Sequence, residues 1–523
     1  MAVFLISAAA VAGTILSLTA AYMYMLMVLT PKRTRLKLEA QGIKGPTPSS
    51  LLLGNIPQIT QIKAQFSQSN PTKTSTNHLA SISHDWPSFT FPHLKLWQQL
   101  YGRMFVYSTG TVQTLCITDP NVVKEIILTT PLDLGKPAYL SKERGPLLGQ
   151  GVFTASGSFW EYQRKLIAPE FFPNKIKGML EMMTEATTSM LHSWEDNIKS
   201  NGGEAEITID EDLRNLSQDI ISKAAFGSSY SKGKDIFSKI RTLQGLMAKT
   251  VHVGVPGSRY MPTKGNWQIR RLEKEIYRMI LKVVEERTRA KRETDFLQKI
   301  LEGAKMYADQ DDPTLKIDVE KLIVDNCKSI YFAGHETTSS TVTWSLMLLG
   351  AYPDWQARAR AEVLEVCQDR IPVTGDLRNM KMLTMIIQET LRLYPPARFA
   401  TRAALEDAKL NGIQVPKGMD IQVPILVLHN DPELWGPDVH EFNPERFAKG
   451  ITGACKPPQA YIPFGFGARV CLGQNFAMME LKVMLSMILS KFSFSLSPAY
   501  QHSPAYRLIL EPQHGVQLLI RRA

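Results

Sequence analysis

A glycine-rich stretch around a single cysteine near the C-terminus sets tight limits on the local fold. Residues 463–473 read Pro-Phe-Gly-Phe-Gly-Ala-Arg-Val-Cys-Leu-Gly. Its glycines allow the backbone to approach a flat or bulky group closely. The amphipathic run at 474–491 predicts a helix whose N-terminal N–H groups point at the sulfur and favour a thiolate. The pattern therefore favours a thiolate at Cys471, the alternative being a buried structural cysteine in a glycine turn.

The N-terminus is the second strong signal, because residues 1–30 contain no Asp, Glu, Lys or Arg. This length is enough to cross a bilayer, and it exceeds the apolar core of a cleaved signal peptide, which is the alternative. We expect Pro31 to end the helix. A basic cluster follows and predicts that the rest of the chain is cytosolic, namely Lys32, Arg33, Arg35 and Lys37.

Charge and cysteine content narrow the class of protein. The net charge is +11, which suggests an anionic partner, but no zinc-finger, RNA-binding or basic-zipper pattern indicates nucleic acid. Five widely spaced cysteines do not form a disulfide framework and favour a reducing compartment. With 44% hydrophobic and 21% charged residues, the chain has an ordinary folded composition.

The rest of the pattern predicts a mainly α fold with small β-sheets. Polar residues 55–80 indicate a loop, and 103–119 predicts a β-hairpin. Residues 319–351 predict one long helix that ends before Pro353, preceded by a polar interruption at 305–317. Short strands and turns follow from about residue 400. We predict an anchor at 1–30, a Pro/Gly-rich linker at 31–54 and one catalytic domain at 55–523.

The cysteine segment fits Phe-x-x-Gly-x-Arg-x-Cys-x-Gly and resembles the haem-binding loop of the cytochrome P450 family. The resemblance implies the cytochrome P450 fold, behind one transmembrane helix. It implies that Cys471 is the axial thiolate ligand of haem iron. Phe464, Arg469 and Gly473 then belong to the haem site, with Arg469 at a propionate.

Four further motifs resemble the family in the same order along the chain. Within 333–338, Ala-Gly-His-Glu-Thr-Thr, the resemblance implies that Thr337 contacts the activated oxygen, that Glu336 relays protons, and that Ala333 lines the substrate pocket. The alternative is a Thr337 hydroxyl bonded one turn back. The remaining motifs imply contacts to the haem propionates from Trp160, Arg164 and His429. They also imply a buried ion network that holds the cysteine loop, formed by Glu389, Arg392 and Arg446. A solvated loop histidine is the alternative for His429.

The activity that the resemblance implies is insertion of one oxygen atom from O2 into a hydrophobic substrate. The chain has no flavin or dinucleotide fingerprint, so electrons from NADPH come through a membrane-bound NADPH–cytochrome P450 reductase. The implied location is the endoplasmic reticulum membrane. The alternatives are an isomerase or dehydratase of the same fold, which needs no O2, and a non-catalytic haem carrier.

The sequence of residues 324–335, together with that of the C-terminal stretch 490–516, resembles the plant clan that includes the gibberellin oxidases. This implies hydroxylation or epoxidation of a gibberellin or related diterpenoid acid, with pentacyclic triterpenoids as the alternative substrates. Arg398 and Arg402 follow Pro396 in a segment that implies pocket lining. Either could hold a substrate carboxylate, or pair with haem or solvent instead.

Overall fold

The computed structural model describes residues 2–69, 82–129, 132–227, 233–250, 254–255, 257–289, 296–308 and 318–523. Most of these residues are helical. The longer helices are Ala2–Tyr24, Thr30–Glu39, Ile56–Ser69, Pro92–Tyr101, Pro120–Leu128, Gly157–Ile167, Leu180–Ser200, Ile209–Phe226, Gly233–Thr250, Lys264–Arg289, Phe296–Ala308, Val319–Ala351, Pro353–Cys367, Lys381–Leu393 and Gln474–Lys491. The predicted mainly α fold with small sheets is confirmed.

The strands of the described residues form four small sheets. The largest has the order Met104–Thr109, Val112–Ile117, Asp420–Pro424, Phe399–Ala404 and Leu134–Gly135. A three-stranded sheet joins Glu204–Thr208, Gln517–Arg522 and Phe492–Leu496. Two hairpins complete the set, Ala408–Leu410 with Ile413–Val415 and Pro504–Tyr506 with Leu510–Pro512. The antiparallel pair Met104–Thr109 and Val112–Ile117 confirms the predicted hairpin at 103–119, with its turn at Gly110.

Val319–Ala351 is the central element of the fold, and its predicted bounds are confirmed. Its side chains are buried over almost the whole length, because other helices surround it. Asp318 caps its first turn by accepting a hydrogen bond from the Lys321 backbone N–H. The predicted interruption at 305–317 overlaps the last residues of Phe296–Ala308, and 309–317 lie outside the described residues.

The N-terminal helix continues past Pro31, so the prediction that this proline ends it is wrong. Met25–Leu29 form a π-helical segment in which the Thr30 N–H donates to the Met25 carbonyl oxygen, five residues back. The wider turn accommodates a proline that cannot donate. Val11–Glu39 is long and apolar enough to cross a membrane, and none of its most apolar window is buried by protein.

The predicted linker at 31–54 is packed on the catalytic body rather than free. Leu38 is fully buried, and the Val106 N–H donates to the Lys44 carbonyl oxygen. Arg35, one of the four basic residues, is buried and donates to the Gly45 carbonyl oxygen. The body therefore holds the base of the anchor in a fixed orientation.

The predicted loop at 55–80 is wrong over its first half, where Ile56–Ser69 forms a helix. Ile59 and Ile62 of this helix pack on the main hydrophobic core. Residues 70–80 lie outside the described residues.

Candidate active site

The cysteine loop, residues 463–473, leads directly into the helix Gln474–Lys491, as predicted. Gly465 and Gly467 adopt positive φ values of 73° and 65°, a backbone conformation that favours glycine. The Cys471 N–H donates to the Phe464 carbonyl oxygen at 2.9 Å, which closes the loop. The Cys471 side chain is exposed, whereas the other four cysteines are buried. The loop therefore presents one accessible sulfur.

Two effects oppose each other at this sulfur. Although the sulfur is accessible, the many protein atoms around it raise the pKa of the Cys471 thiol by desolvation, which outweighs the lowering of the pKa by the Gly473 backbone N–H and the charge of Arg164. The predicted contribution of the helix end is present but does not suffice. A bound cation such as iron supplies the missing stabilisation of a thiolate.

Cationic side chains from four separate segments gather beside the loop. The Arg469 guanidinium lies 4.2 Å from the centre of the Trp160 ring, and that of Arg164 lies 5.7 Å from it. Burial and the charges of Arg402 and Arg164 lower the pKa of Arg469 to about 9. Burial, then the charges of Arg402 and Arg469, lower the pKa of Lys136 well below its usual value. We call Lys136, Arg164, Arg402 and Arg469 the propionate cluster.

The propionate cluster fits the anionic edge of a haem. Among the described residues none of its members forms an ion pair with a carboxylate, and the buried Nε and Nη2 of Arg469 have no hydrogen-bond partner. Buried cations without counter-charge are costly, and two propionates would supply both the charge and the acceptors. Lys136 was not predicted, because nothing in its local sequence marks it.

The structure does not support His429 as a propionate contact. The ring is fully buried: Nδ1 lies 3.2 Å from the Arg392 carbonyl oxygen, and Nε2 accepts from the Ile462 N–H at 3.1 Å. Burial lowers the pKa of His429 to about 3, so the ring is neutral. With both nitrogens engaged by backbone, His429 instead joins two segments of the core, and the solvated alternative is also wrong.

Glu389 and Arg392 form the centre of a buried ion network, and both are fully buried. Arg392 Nε and Nη2 each lie 2.7 Å from a carboxylate oxygen of Glu389. The rest of the guanidinium donates to the carbonyl oxygens of His429, Val439 and Glu441. Such complete satisfaction is what a buried pair requires.

Arg446 lies at the edge of this network. Its Nε is 3.6 Å from Glu389, while its Nη2 is 2.8 Å from Asp438. Asp438 is thus the main partner of Arg446, which sequence reasoning missed. Through His429 and Ile462, the Glu389–Arg392 pair is connected to the residue that precedes the cysteine loop.

The long helix contains an opening. Ala333 is exposed although its neighbours Tyr331, Phe332 and His335 are buried. The Thr337 hydroxyl donates to the Ala333 carbonyl oxygen at 2.7 Å, which is the alternative considered from the sequence. A hydroxyl held in this way still has lone pairs to accept a second hydrogen bond.

Glu336, the predicted proton-relay residue, lies in a cationic environment. His335 Nε2 is 3.2 Å away, Arg241 Nη1 3.6 Å and Arg214 Nε 3.8 Å. Burial would raise the pKa of Glu336, but His335 and the two arginines outweigh it and hold the pKa at about 2. Glu336 is therefore ionised at neutral pH.

Glu480 is a further buried acid, and no sequence motif indicated it. It lies fully buried in the helix that follows Cys471, and its Oε1 accepts from the Ser217 hydroxyl at 2.7 Å. Its Oε2 has no partner among the described residues. Burial raises the pKa of Glu480 to about 8, although the nearby hydroxyls of Ser217 and Thr338 act in the opposite direction. The group is therefore mostly protonated at pH 7.

Replacement Glu480→Gln is expected to change how stability depends on pH. The folded pKa exceeds the unfolded value of about 4.3, so the native state holds the extra proton and loses stability as the pH rises from about 4.3 through 8. Glutamine removes this loss. The free energy of unfolding, measured with guanidinium, should therefore favour the variant over wild type by about 2–5 kcal/mol more at pH 9 than at pH 5. The same dependence of the unfolding free energy on pH in the variant and in wild type would contradict this prediction. Glu445→Gln, at an exposed acid, serves as the control.

The two arginines considered for a substrate carboxylate lie in different environments. Arg402 is buried and donates to the carbonyl oxygens of Thr401 and Phe466, within the propionate cluster. Arg398 is only half-buried, and its guanidinium lies 4.3 Å from the Tyr506 ring centre and 4.8 Å from that of Phe399. Arg398 is therefore the arginine that remains available to a substrate.

Comparisons with known proteins agree with this site. The sequence profile of the cytochrome P450 family matches residues 88–520. The chain is 50% identical to cytochrome P450 714C2 of Oryza sativa subsp. japonica over 505 residues, which is 96% of this chain and 95% of that protein. It is 46% identical to cytochrome P450 714A2 of Arabidopsis thaliana (95% of each chain) and 44% identical to cytochrome P450 714B3 of Zea mays (96% and 93%).

Proposed function

Because the chain belongs to the cytochrome P450 family, we propose that it oxidises a gibberellin or a related diterpenoid acid by hydroxylation or epoxidation. Membership of the family implies haem iron, O2 and electrons delivered from NADPH by a reductase. The chain is a cytochrome P450 monooxygenase. The finer proposal, the substrate, is supported by the resemblance to the plant clan that includes the gibberellin oxidases. Pentacyclic triterpenoids are the second candidate class.

The observation that favours an oxygenase over a haem carrier is the pair formed by Glu336 and Thr337 in the long helix. This pair lies next to the exposed Ala333. A carrier needs neither the Thr337 hydroxyl nor a buried, ionised Glu336. An isomerase or dehydratase of the same fold needs no proton delivery to oxygen either. We infer that this pair serves oxygen chemistry.

In the proposed mechanism the residues have separate tasks. When haem is bound, Cys471 would supply the thiolate ligand of its iron, and Phe464 and Gly473 would shape the loop around that sulfur. Arg469, Arg164 and Trp160 would hold the propionate edge. When bound, haem activates O2 for insertion of one oxygen atom into a C–H bond. Ala333 provides a smooth wall for the substrate, because it has only a methyl side chain.

Thr337 and Glu336 are proposed to deliver protons. The Thr337 hydroxyl donates its own proton to the Ala333 carbonyl oxygen, so its oxygen is oriented to accept a hydrogen bond from a proton-carrying water molecule and to hold that water in place. Glu336 is ionised beside Arg214 and Arg241, so it accepts a proton only when one of these two arginines moves away. Proton delivery is thus coupled to the motion of the arginine side chains.

Substitution Glu336→Gln is expected to slow turnover by about 100-fold, because general acid–base groups typically contribute at least this much. Thr337→Ala should reduce the product formed per NADPH consumed. Both are measured with reductase, together with the solvent deuterium isotope effect, which should rise in Glu336→Gln. Thr341→Ser, one turn further on, keeps its hydroxyl and is the matched control. Unchanged coupling and isotope effect would exclude the proton-delivery role.

We further propose that the chain is a single-pass protein of the endoplasmic reticulum, with the anchor at 1–30 and the catalytic domain, predicted at 55–523, in the cytosol. The candidate membrane helix Val11–Glu39 and the basic residues in its last two turns support this arrangement. In this arrangement the anchor contacts membrane lipid, and the catalytic domain meets the membrane-bound reductase on the cytosolic side of the membrane.

Product identification tests the proposed substrate. The full chain is incubated with reductase, NADPH and, in parallel, tetracyclic diterpenoid acids and pentacyclic triterpenoid acids, and the products are identified by mass spectrometry. We expect a mono-oxygenated product from a diterpenoid acid. Products from triterpenoids alone would select the second class, and products from neither class would reject both.

A further inference from the structure

A second group of cations lies apart from the propionate cluster. Lys63 Nζ and the Arg398 guanidinium lie 5.4 and 5.5 Å from the centre of the same Phe91 ring. The charge of Arg398 is the second cause, after burial, that lowers the pKa of both Lys63 and Arg144. We call Lys63, Arg144 and Arg398 the mouth cluster.

The mouth cluster and the propionate cluster are separate in space. Arg398 directly precedes the strand Phe399–Ala404, and Arg402 is the fourth residue of that strand. Four residues of strand correspond to about 13 Å. The mouth cluster therefore lies well away from the propionate edge.

The mouth cluster lacks a bound anion among the described residues. None of its three members lies within ion-pairing distance of a carboxylate, and only Arg144 makes a side-chain hydrogen bond, to the Met247 carbonyl oxygen at 2.9 Å. The nearby acids are Glu143 and Asp420. Burial, with the charge of Glu143, raises the pKa of Asp420 to about 7, so Asp420 is a weak counter-charge.

The walls of this site are aromatic. Phe91, Phe399 and Tyr506 surround the Arg398 guanidinium at 4.3–5.5 Å from their ring centres. Cation–π contacts hold the guanidinium without using its five N–H donors. Three separate segments meet here, represented by Arg144, Arg398 and Tyr506, and the resemblance implies that the one after Pro396 lines the substrate pocket.

We propose that Arg398, assisted by Lys63 and Arg144, binds the carboxylate of the substrate, while the aromatic walls contact its hydrocarbon rings. A planar guanidinium with free donors matches a carboxylate in a bidentate manner. The inference rests on the proposed function, since it assumes an acidic substrate.

The test compares a tetracyclic diterpenoid acid with its methyl ester by titration of the substrate-induced spin-state change in the full-length haem protein. Wild type should bind the acid at least about 10-fold more tightly than the ester. Arg398→Gln should weaken acid binding by about 10- to 100-fold, as expected for one charge-assisted pair. Ester binding should change less than about 2-fold, since the ester makes no such pair. Arg398→Lys should retain part of the preference, and Lys409→Gln, an exposed cation elsewhere, should have no effect.

Two outcomes would overturn the inference. One is equal binding of acid and ester by wild type, and the other is an equal loss of both in Arg398→Gln, which would indicate a structural role. If no diterpenoid binds, the proposed substrate is wrong, and a long-chain fatty acid with its methyl ester then tests Arg398 in the same variants. A protein that does not distinguish acid from ester in either pair has no carboxylate site at Arg398.

Discussion

Cys471→Ser is expected to abolish the haem-thiolate spectrum and to reduce NADPH-dependent turnover at least about 100-fold, since the thiolate donates the electron density that O–O cleavage requires. Serine keeps the size of the side chain, and the loop is closed by the Cys471 backbone N–H rather than by its sulfur. The variant should therefore fold. The measurements are the spectrum of the reduced, carbon monoxide-treated protein and product formation with reductase.

The matched control is Cys455→Ser. The Cys455 sulfur is also near backbone carbonyl oxygens, Ile451 at 3.8 Å and Pro457 at 3.7 Å, but it lies in a separate small core. It should retain the spectrum and the activity. An unchanged spectrum and full turnover in Cys471→Ser would contradict the ligand assignment and the mechanism built on it.

The elements with strong local signals were predictable from the sequence. The hairpin at Met104–Ile117 has alternating β-branched and aromatic residues around Gly110, and Val319–Ala351 has a cap at Asp318 and Pro353 just beyond its end. The helix Ile56–Ser69 has its own periodic signal in Ile56, Ile59, Ile62 and Phe66. The many Gln and Ser residues of this segment are typical of a loop and mask the helical spacing of its apolar residues.

Contacts between distant segments were not predictable from one sequence. Arg214, Arg241 and Glu511 surround Glu336, yet no motif indicates any of the three. Lys136 joins Arg402 and Arg469 from a stretch with no distinctive pattern. The motifs identify which residue types the chemistry needs, whereas the charges that set the protonation state of those residues come from the tertiary packing.

The same limit applies to the buried pair. The spacing of Glu389 and Arg392 predicts that they share a helix face, but any exposed helix offers such pairs. Only the structure shows that Arg392 also binds three backbone carbonyl oxygens and connects through His429 to Ile462. This connection gives the pair a defined task, which is to hold the start of the cysteine loop.

Glu389→Gln is accordingly expected to destabilise the protein by about 3–5 kcal/mol, because it leaves the Arg392 charge buried without its counter-charge. The free energy of unfolding and haem retention should fall together, since Ile462 loses its indirect support. Glu445→Gln removes an acid from an exposed pair with Arg358 and should cost at most about 0.5 kcal/mol.

The double variant Glu389→Gln with Arg392→Met separates the charge effect from the architectural one. An ion pair alone can be replaced by apolar groups at little cost, so full recovery would mean that the pair does no more than balance its own charges. We expect recovery to be partial, because methionine cannot donate to the carbonyl oxygens of His429, Val439 and Glu441, and these acceptors then remain buried and unsatisfied. A cysteine loop that stays loaded with haem in the double variant would show that Arg392 does not hold it.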